Sequence, residues 1–270
     1  MIGRTGVGLF DRALGKARRA YAERCTFAHI SIPADFRAVS FCFDDFPLSA
    51  AEDGARTLES FGLRGTFYTC FGTLSHDSPS GRLAGMQDVA ALHRNGHEIG
   101  CHTYDHMNCS FVEADDAAQS CDLNRRVAAE RGITMENLAY PQGGIRASTK
   151  QLLSTRYATA RGTLQGVNRG LTDAHGLRAV RIYEHHAASA MRQRIDDVAL
   201  EGGWLILYTH DVATSPSRYG LSKSRFRDLI LYTIGRNLPV LTIAEVVRLI
   251  GHAGAAHVGS GPIPATAGQA

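Results

Sequence analysis

The stretch Val39-Ser-Phe-Cys-Phe-Asp-Asp-Phe-Pro47 decides how this chain folds. A short apolar run goes straight into two carboxylates, without the polar alternation of a half-exposed strand. A strand covered on both faces reads this way, and such strands belong to parallel sheets. The same pattern recurs at Thr66–Cys70, Glu98–Cys101, Leu138–Tyr140, Tyr157–Ala160, Val180–Tyr183 and Trp204–Tyr208, with a short eighth candidate near Pro239–Leu241. Helical patterns lie between the strands. Ala50–Phe61 stops at Gly62, and Met86–Arg94 stops at Asn95-Gly96. Phe226, Leu229, Ile230, Thr233 and Ile234 form one core-facing stripe, and Ile243, Val246, Val247 and Ile250 form another. Repeated strand–helix alternation predicts a parallel α/β fold, either barrel or doubly wound. At 270 residues the chain fits one such domain.

The ends read differently. Residues 1–30 are expected to be an N-terminal helical extension, because Leu9, Phe10, Leu14, Ala17 and Tyr21 recur at near-helical spacing. Its arginines at 4, 12, 18, 19 and 24 read as a solvated helix face rather than a membrane surface. Residues 31–252 form the body. Residues 253–270, in a Gly-, Ala- and Pro-rich segment that begins at Gly251, are expected to be a flexible tail. With 44% hydrophobic residues the chain can bury a sizeable core. Its net charge of +3 comes without a Lys/Arg block, so no nucleic-acid partner is expected. Six cysteines form no CxxC pair, no secretory signal is evident, and no apolar stretch approaches the roughly 20 residues of a spanning helix. The expectation is a reduced, cytoplasmic protein without an integral membrane segment.

Polar residues of chemical interest fall just after the strands. Asp44 and Asp45 follow the first, His102 the third, Pro141-Gln-Gly-Gly144 the fourth, and His210-Asp211 the run Trp204–Thr209. In parallel α/β folds the C-terminal strand ends build the functional site. His102 and His106 are four apart, and imidazoles at i and i+4 can face one point across a helical turn. One added carboxylate gives two His and one Asp, an open set suited to a catalytic divalent ion, and leaves the second aspartate free as a base.

Together these segments resemble the polysaccharide deacetylase family, the nodulation-protein-B homology domain of carbohydrate esterase family four. The first family motif, Thr-Phe-Asp-Asp-Gly, is similar to Cys42-Phe-Asp-Asp-Phe-Pro47. The second, His-Ser/Thr-x-x-His, is met by His102-Thr-Tyr-Asp-His106. The third, Arg-x-Pro-x-Gly, is similar to Ala139-Tyr-Pro-Gln-Gly143. The fifth, an apolar strand ending in His, is met by Leu205-Ile-Leu-Tyr-Thr-His210. The resemblance spans about residues 36–250. It implies a distorted (β/α) barrel of about seven parallel strands, and removal of N-acetyl groups from an amino-sugar, polysaccharide or glycolipid substrate. It further implies one divalent ion, zinc first, with cobalt, nickel or manganese also suited to the donors. Asp45, His102 and His106 would hold the ion, Asp44 would be the base and His210 the acid. A backbone N–H at Gln142 or its neighbour would serve the oxyanion, Tyr140 would lie at the oxyanion or substrate, and Leu207 would form a wall for the acetyl methyl group.

Departures mark a divergent subgroup. Phe46 replaces the glycine of the first motif, which would place a bulky ring near the mouth. Ala139 replaces the third-motif arginine, and no fourth motif, Asp-x-x-Asp-Trp, is found. Two readings are open for Arg161: a substitute arginine pairing with Asp44 from a neighbouring strand end, or an ordinary surface residue. His185-His186 either line a substrate groove or sit in solvent, Asp105 caps or is solvated, His97 supports a strand start, and Cys101 points away from His102. Two other functions stay open: a cyclic imide or ureide amidohydrolase on the same fold, and a catalytically silent sugar-binding barrel. The sequence leaves the oligomeric state undefined.

Overall fold

The computed structural model describes residues 9–258, with side chains from 13 to 251. Seven parallel strands form one curved sheet. They are β1 (Arg37–Asp44), β2 (Thr66–Thr69), β3 (Glu98–Cys101), β4 (Asn137–Ala139), β5 (Thr159–Arg161), β6 (Val180–Arg181) and β7 (Gly203–Thr209). Their order across the sheet is β6-β7-β1-β2-β3-β4-β5. The seam between β5 and β6 is spanned by a single parallel bridge, Arg161 to Leu177. The result is the expected α/β barrel, distorted because two strands meet through a loop segment rather than a full ladder. The eighth candidate strand does not form. Around Pro239–Leu241 only an isolated bridge from Val240 to Val39 exists.

Helices are α1 (Leu9–Ala22), α2 (Ala55–Glu59), α3 (Met86–Arg94), α4 (Ala114–Ala129), α5 (Ala147–Leu153), α6 (Ala188–Glu201), α7 (Lys223–Gly235) and α8 (Ile243–Val258). The helix expected over Ala50–Phe61 opens as one wide π turn, Ala50–Gly54, before α2. Two cores follow from strand alternation. On the outer face, Phe41, Phe43, Phe67, Ile99, Leu205 and Leu207 pack under the helices. On the inner face, Ala38, Cys42, Tyr68, Trp204, Ile206 and Tyr208 fill the barrel, and Ile243, Val246 and Ile250 of α8 join them. The start of α8 closes the N-terminal end of the barrel, with Ile243 N–H donating to Thr66 Oγ1 at 3.1 Å and Ala244 N–H to Glu98 Oε2 at 2.9 Å. The open end is therefore the C-terminal one, where the polar motifs lie.

Two expectations about the ends change. α8 runs to Val258, so the segment from Gly251 is helical over its first residues; residues 259–270 of the expected tail lie outside the described residues. In α1, Leu14, Ala17 and Tyr21 of the expected core stripe are exposed, while Leu9 and Phe10 lie outside the described side chains. The helix instead turns Gly15 and Ala22 inward. Gly15 sits so close to the Phe111 ring that a Cβ there would lie 2.7 Å from it. Lys150, 1% exposed, fastens the helix end: its Nζ donates to Ala22 O at 3.0 Å and Cys25 O at 2.6 Å, and pairs with Asp173.

Candidate active site

Asp44 is the last residue of β1, and Asp45 is the first beyond it. Asp45 leaves the strand with φ 55°, a left-handed conformation that aspartate tolerates better than most residues. The twist separates the two neighbours. Asp44 stays inside the barrel, 4% exposed, while Asp45 turns to the rim. There its Oδ1 lies 3.5 Å from His102 Nε2 and 3.3 Å from His106 Nε2. Ligand atoms of all three residues fall within 4.8 Å of one another, the group among the described residues able to hold a metal ion.

The two imidazoles do not converge across a helical turn, as their spacing suggested. Residues 102–106 form a loop after β3, and the chain bends through Thr103 at φ 60° and His106 at φ 55°. For a β-branched residue such as Thr103 this is strained, at a cost of about 1–3 kcal/mol that the surroundings must offset. Thr103 is fully buried, and its Oγ1 accepts from Met107 N–H at 3.1 Å, which closes the loop. His102 Nδ1 donates to Ala139 O at 2.7 Å. That bond fixes the tautomer and leaves the Nε2 lone pair facing Asp45, the arrangement of an oriented metal ligand. Burial, followed by smaller opposing effects of Asp45 and Asp44, holds the His102 pKa down at about 4, so the ring is neutral at pH 7. Ala139 thus lacks the motif's arginine side chain, yet its carbonyl orients a ligand.

The arginine comes from elsewhere. Arg161, at the end of β5 and 1% exposed, forms an ion pair with Asp44. Its guanidinium carbon lies 4.6 Å from the Tyr68 ring centre and 4.8 Å from that of Tyr208, so two aromatic faces hold the planar cation in place. Gly100 makes room for this stack: a Cβ there would lie 2.6 Å from the Tyr68 ring. Burial alone would raise the Asp44 pKa. Arg161, then His102 and His210, more than offset it, and the carboxyl is held below the usual 3.8. Of the two readings of Arg161, the geometry selects the partner of Asp44.

Other sequence candidates fall as follows. His210 follows β7, is partly exposed, and its charge is felt by Asp44. Its Nδ1 is buried without a hydrogen-bond partner. Gln142 sits in the loop after β4 at φ 57°, exposed, its Oε1 accepting from Asn108 Nδ2 at 2.8 Å. Tyr140 is corrected: its ring is buried and its hydroxyl donates to His175 O at 3.3 Å, away from the rim. Leu207 is corrected too. It lies fully buried in the outer core, because residues 205 and 207 share the face opposite Tyr208. Phe46 does not obstruct the mouth; it is fully buried and edge-on to Phe67 at 5.3 Å. His97 supports a strand start as expected, accepting from Gly65 N–H at 3.0 Å and donating to Glu59 at 3.0 Å. Asp105 is exposed and accepts from Ser120 at 2.7 Å, and Cys101 packs in the outer core. Tyr68 and Tyr208 were missed as site residues, although counting back by two from His210 along its strand would have found Tyr208.

Residues 31–159 match the family model described as polysaccharide deacetylase, the family the motifs resemble. Solved structures agree on the fold. A putative polysaccharide deacetylase from Mycobacterium smegmatis is 16% identical, with a TM-score of 0.62 over 91% of this chain and 99% of that one. A family 4 carbohydrate esterase from Streptomyces lividans in complex with acetate is 16% identical, with a TM-score of 0.53 over 76% and 91%. A pseudoenzyme of carbohydrate esterase family 4 from Bacillus anthracis is 12% identical, with a TM-score of 0.54 over 80% and 66%. At these identities the likeness concerns the fold. Among curated proteins no match is found.

Proposed function

We propose that this protein is a metal-dependent hydrolase that removes N-acetyl groups from an acetylated amino sugar in a polysaccharide or glycolipid. The observation that carries the reading is the buried Asp44–Arg161 pair next to the Asp45–His102–His106 donor set. Two imidazoles and one carboxylate, with a fixed tautomer at His102, fit a first-row divalent ion, zinc first. Such an ion would polarise the acetamide carbonyl and lower the pKa of the attacking water. Asp44, kept ionised by Arg161, accepts that water's proton. A backbone N–H of the loop at Gln142 donates to the developing oxyanion. His210 protonates the departing amine as the C–N bond breaks, which leaves acetate and the free amino sugar.

A silent sugar-binding barrel is the second reading. It is favoured by the unpartnered His210 Nδ1 and by a pseudoenzyme of this fold. Against it stands the buried Asp44, since a binding module has no use for a desolvated carboxylate held ionised beside a donor set. A cytoplasmic setting belongs to the proposal. The six cysteines are free thiols, five of them buried, and no described helix is long and apolar enough to cross a membrane.

The test is acetate release from a panel of N-acetylated amino sugars by chelated and by metal-reconstituted protein, with Asp44→Asn in parallel. Metal-dependent release lost in Asp44→Asn supports the hydrolase. Absence of release with one ion bound per chain would leave the silent barrel.

A further inference from the structure

Arg181 ends β6 in register with Tyr208 of β7. Its neighbour Val180 packs in the outer core, so Arg181 takes the inner face of the barrel. Tyr208 therefore has one arginine on its ring face and another beside it on the next strand. Burial raises the phenol pKa of both Tyr183 and Tyr208, and the Arg181 charge works against that rise at each. The register of Arg181 places it beside Tyr208 on the inner face.

Arg181 is only partly exposed, and its Nε is buried without a hydrogen-bond partner. Among the described residues it makes no ion pair. The acidic groups that end or follow β1, β6 and β7 are engaged. Arg161 has Asp44, and Arg225 has Glu184 and also donates to His186 O at 2.6 Å. Asp211 accepts from Ser217 N–H at 2.8 Å and Ser217 Oγ at 2.5 Å. A half-desolvated guanidinium without an anion is costly, and its planar fork matches a carboxylate or a phosphate.

The surface around it suits a sugar. The Tyr183 ring lies 5.9 Å from His210, 6.1 Å from Tyr219 and 5.4 Å from His186, stacked on the last. His185, 4.4 Å from His186, extends this aromatic rim into solvent. The Tyr183 ring, two residues beyond Arg181 in sequence, thus sits against the proposed acid.

We propose that Arg181 binds the carboxylate or phosphate of an anionic amino-sugar substrate and thereby sets the substrate class. This rests on the deacetylase reading. The anion anchors the sugar against the Tyr183–His186 rim, with the acetamide directed toward Asp44 and His210.

The experiment uses the full chain, metal-reconstituted, and three substrates sharing one N-acetylglucosamine unit: a neutral disaccharide, a disaccharide with glucuronate, and N-acetylglucosamine phosphate. The readout is the ratio of kcat/KM for each anionic substrate to that for the neutral one. In wild type this ratio is expected to be about ten- to a hundredfold for the carboxylate, the phosphate, or both, which tells the two sources apart. Arg181→Gln brings it to about one, and Arg181→Lys keeps part of it. Calorimetric binding of the deacetylated anionic sugars to metal-free protein gives a readout without turnover, and melting curves check that both variants fold. Should no acetamide be hydrolysed while those sugars bind and Arg181→Gln removes the binding, deacetylation falls and the anion site stands. An unchanged preference in Arg181→Gln, or none in wild type, overturns the proposal.

Discussion

Arg161 and Asp44 are 117 residues apart in sequence, yet they form a buried ion pair inside the barrel. The third motif lacks its arginine, and the end of the next strand, paired with it in register, supplies one. The barrel tolerates such a move because its strand ends surround one axis, so a guanidinium can reach the same carboxylate from more than one strand.

Arg161→Ala leaves Asp44 buried without its main counter-charge. Asp44 is held below 3.8 in the folded protein, so its ionisation stabilises the fold above that pH and ceases to do so as pH falls through the lowered value. Without Arg161, burial raises the carboxyl instead. The acid limb of the kcat/KM profile is expected to move to higher pH, with about 3–5 kcal/mol lost in denaturant unfolding. An acid limb in the wild-type position would show that Arg161 does not tune Asp44.

Metal binding is expected to stabilise the fold. Zinc at a hundred times its Kd contributes about 2.7 kcal/mol, which is roughly 5–10 °C in Tm for a domain of this size. His102→Ala and His106→Ala should each weaken zinc binding by more than about a hundredfold in calorimetric titration. A chelator should reverse the Tm rise in wild type. Equal zinc affinity in wild type and both variants would remove this site.

Phe46→Gly restores the usual residue of the first motif but empties a filled position. Phe46 is fully buried and edge-on to Phe67. The expected cost is about 3–5 kcal/mol, read from the shift of the denaturation midpoint. Substrate KM should stay near its wild-type value because the ring faces the core. A changed KM with unchanged stability would return Phe46 to the substrate pocket.

Lys150→Met removes the cation that ties Ala22 and Cys25 to Asp173. A loss of about 3–5 kcal/mol is expected, from an unpaired Asp173 and two orphaned carbonyls. Hydrogen exchange should quicken first over residues 13–25, ahead of the strands. Uniform exchange changes across the molecule would contradict this local role.

Periodicity and strand-end placement make much of the fold legible in the sequence. All seven strands lie within about two residues of the expected positions at each end, and Met86–Arg94 matches. These features are local, since hydrophobic run length and helix stops act over a few residues. Leu207 was misplaced because a buried strand is apolar on both faces, so composition does not say which face meets the site. Phe46 is ambiguous for a related reason: an apolar side chain next to a motif shows no sign of which surface receives it.

The sequence by itself determined the order of the strands and helices, the carboxylates and imidazoles at the strand ends, and the family those motifs match. Tertiary structure alone decided the rest. It turned Asp44 inward and Asp45 outward through one left-handed residue, brought the imidazoles together through a strained loop, and chose Arg161 as the partner of Asp44. It also left Arg181 without a partner beside Tyr208. The physical reason is range. Backbone pattern is set by neighbours in the chain, whereas the charge state and orientation of a buried polar group depend on residues that only closure of the barrel brings together.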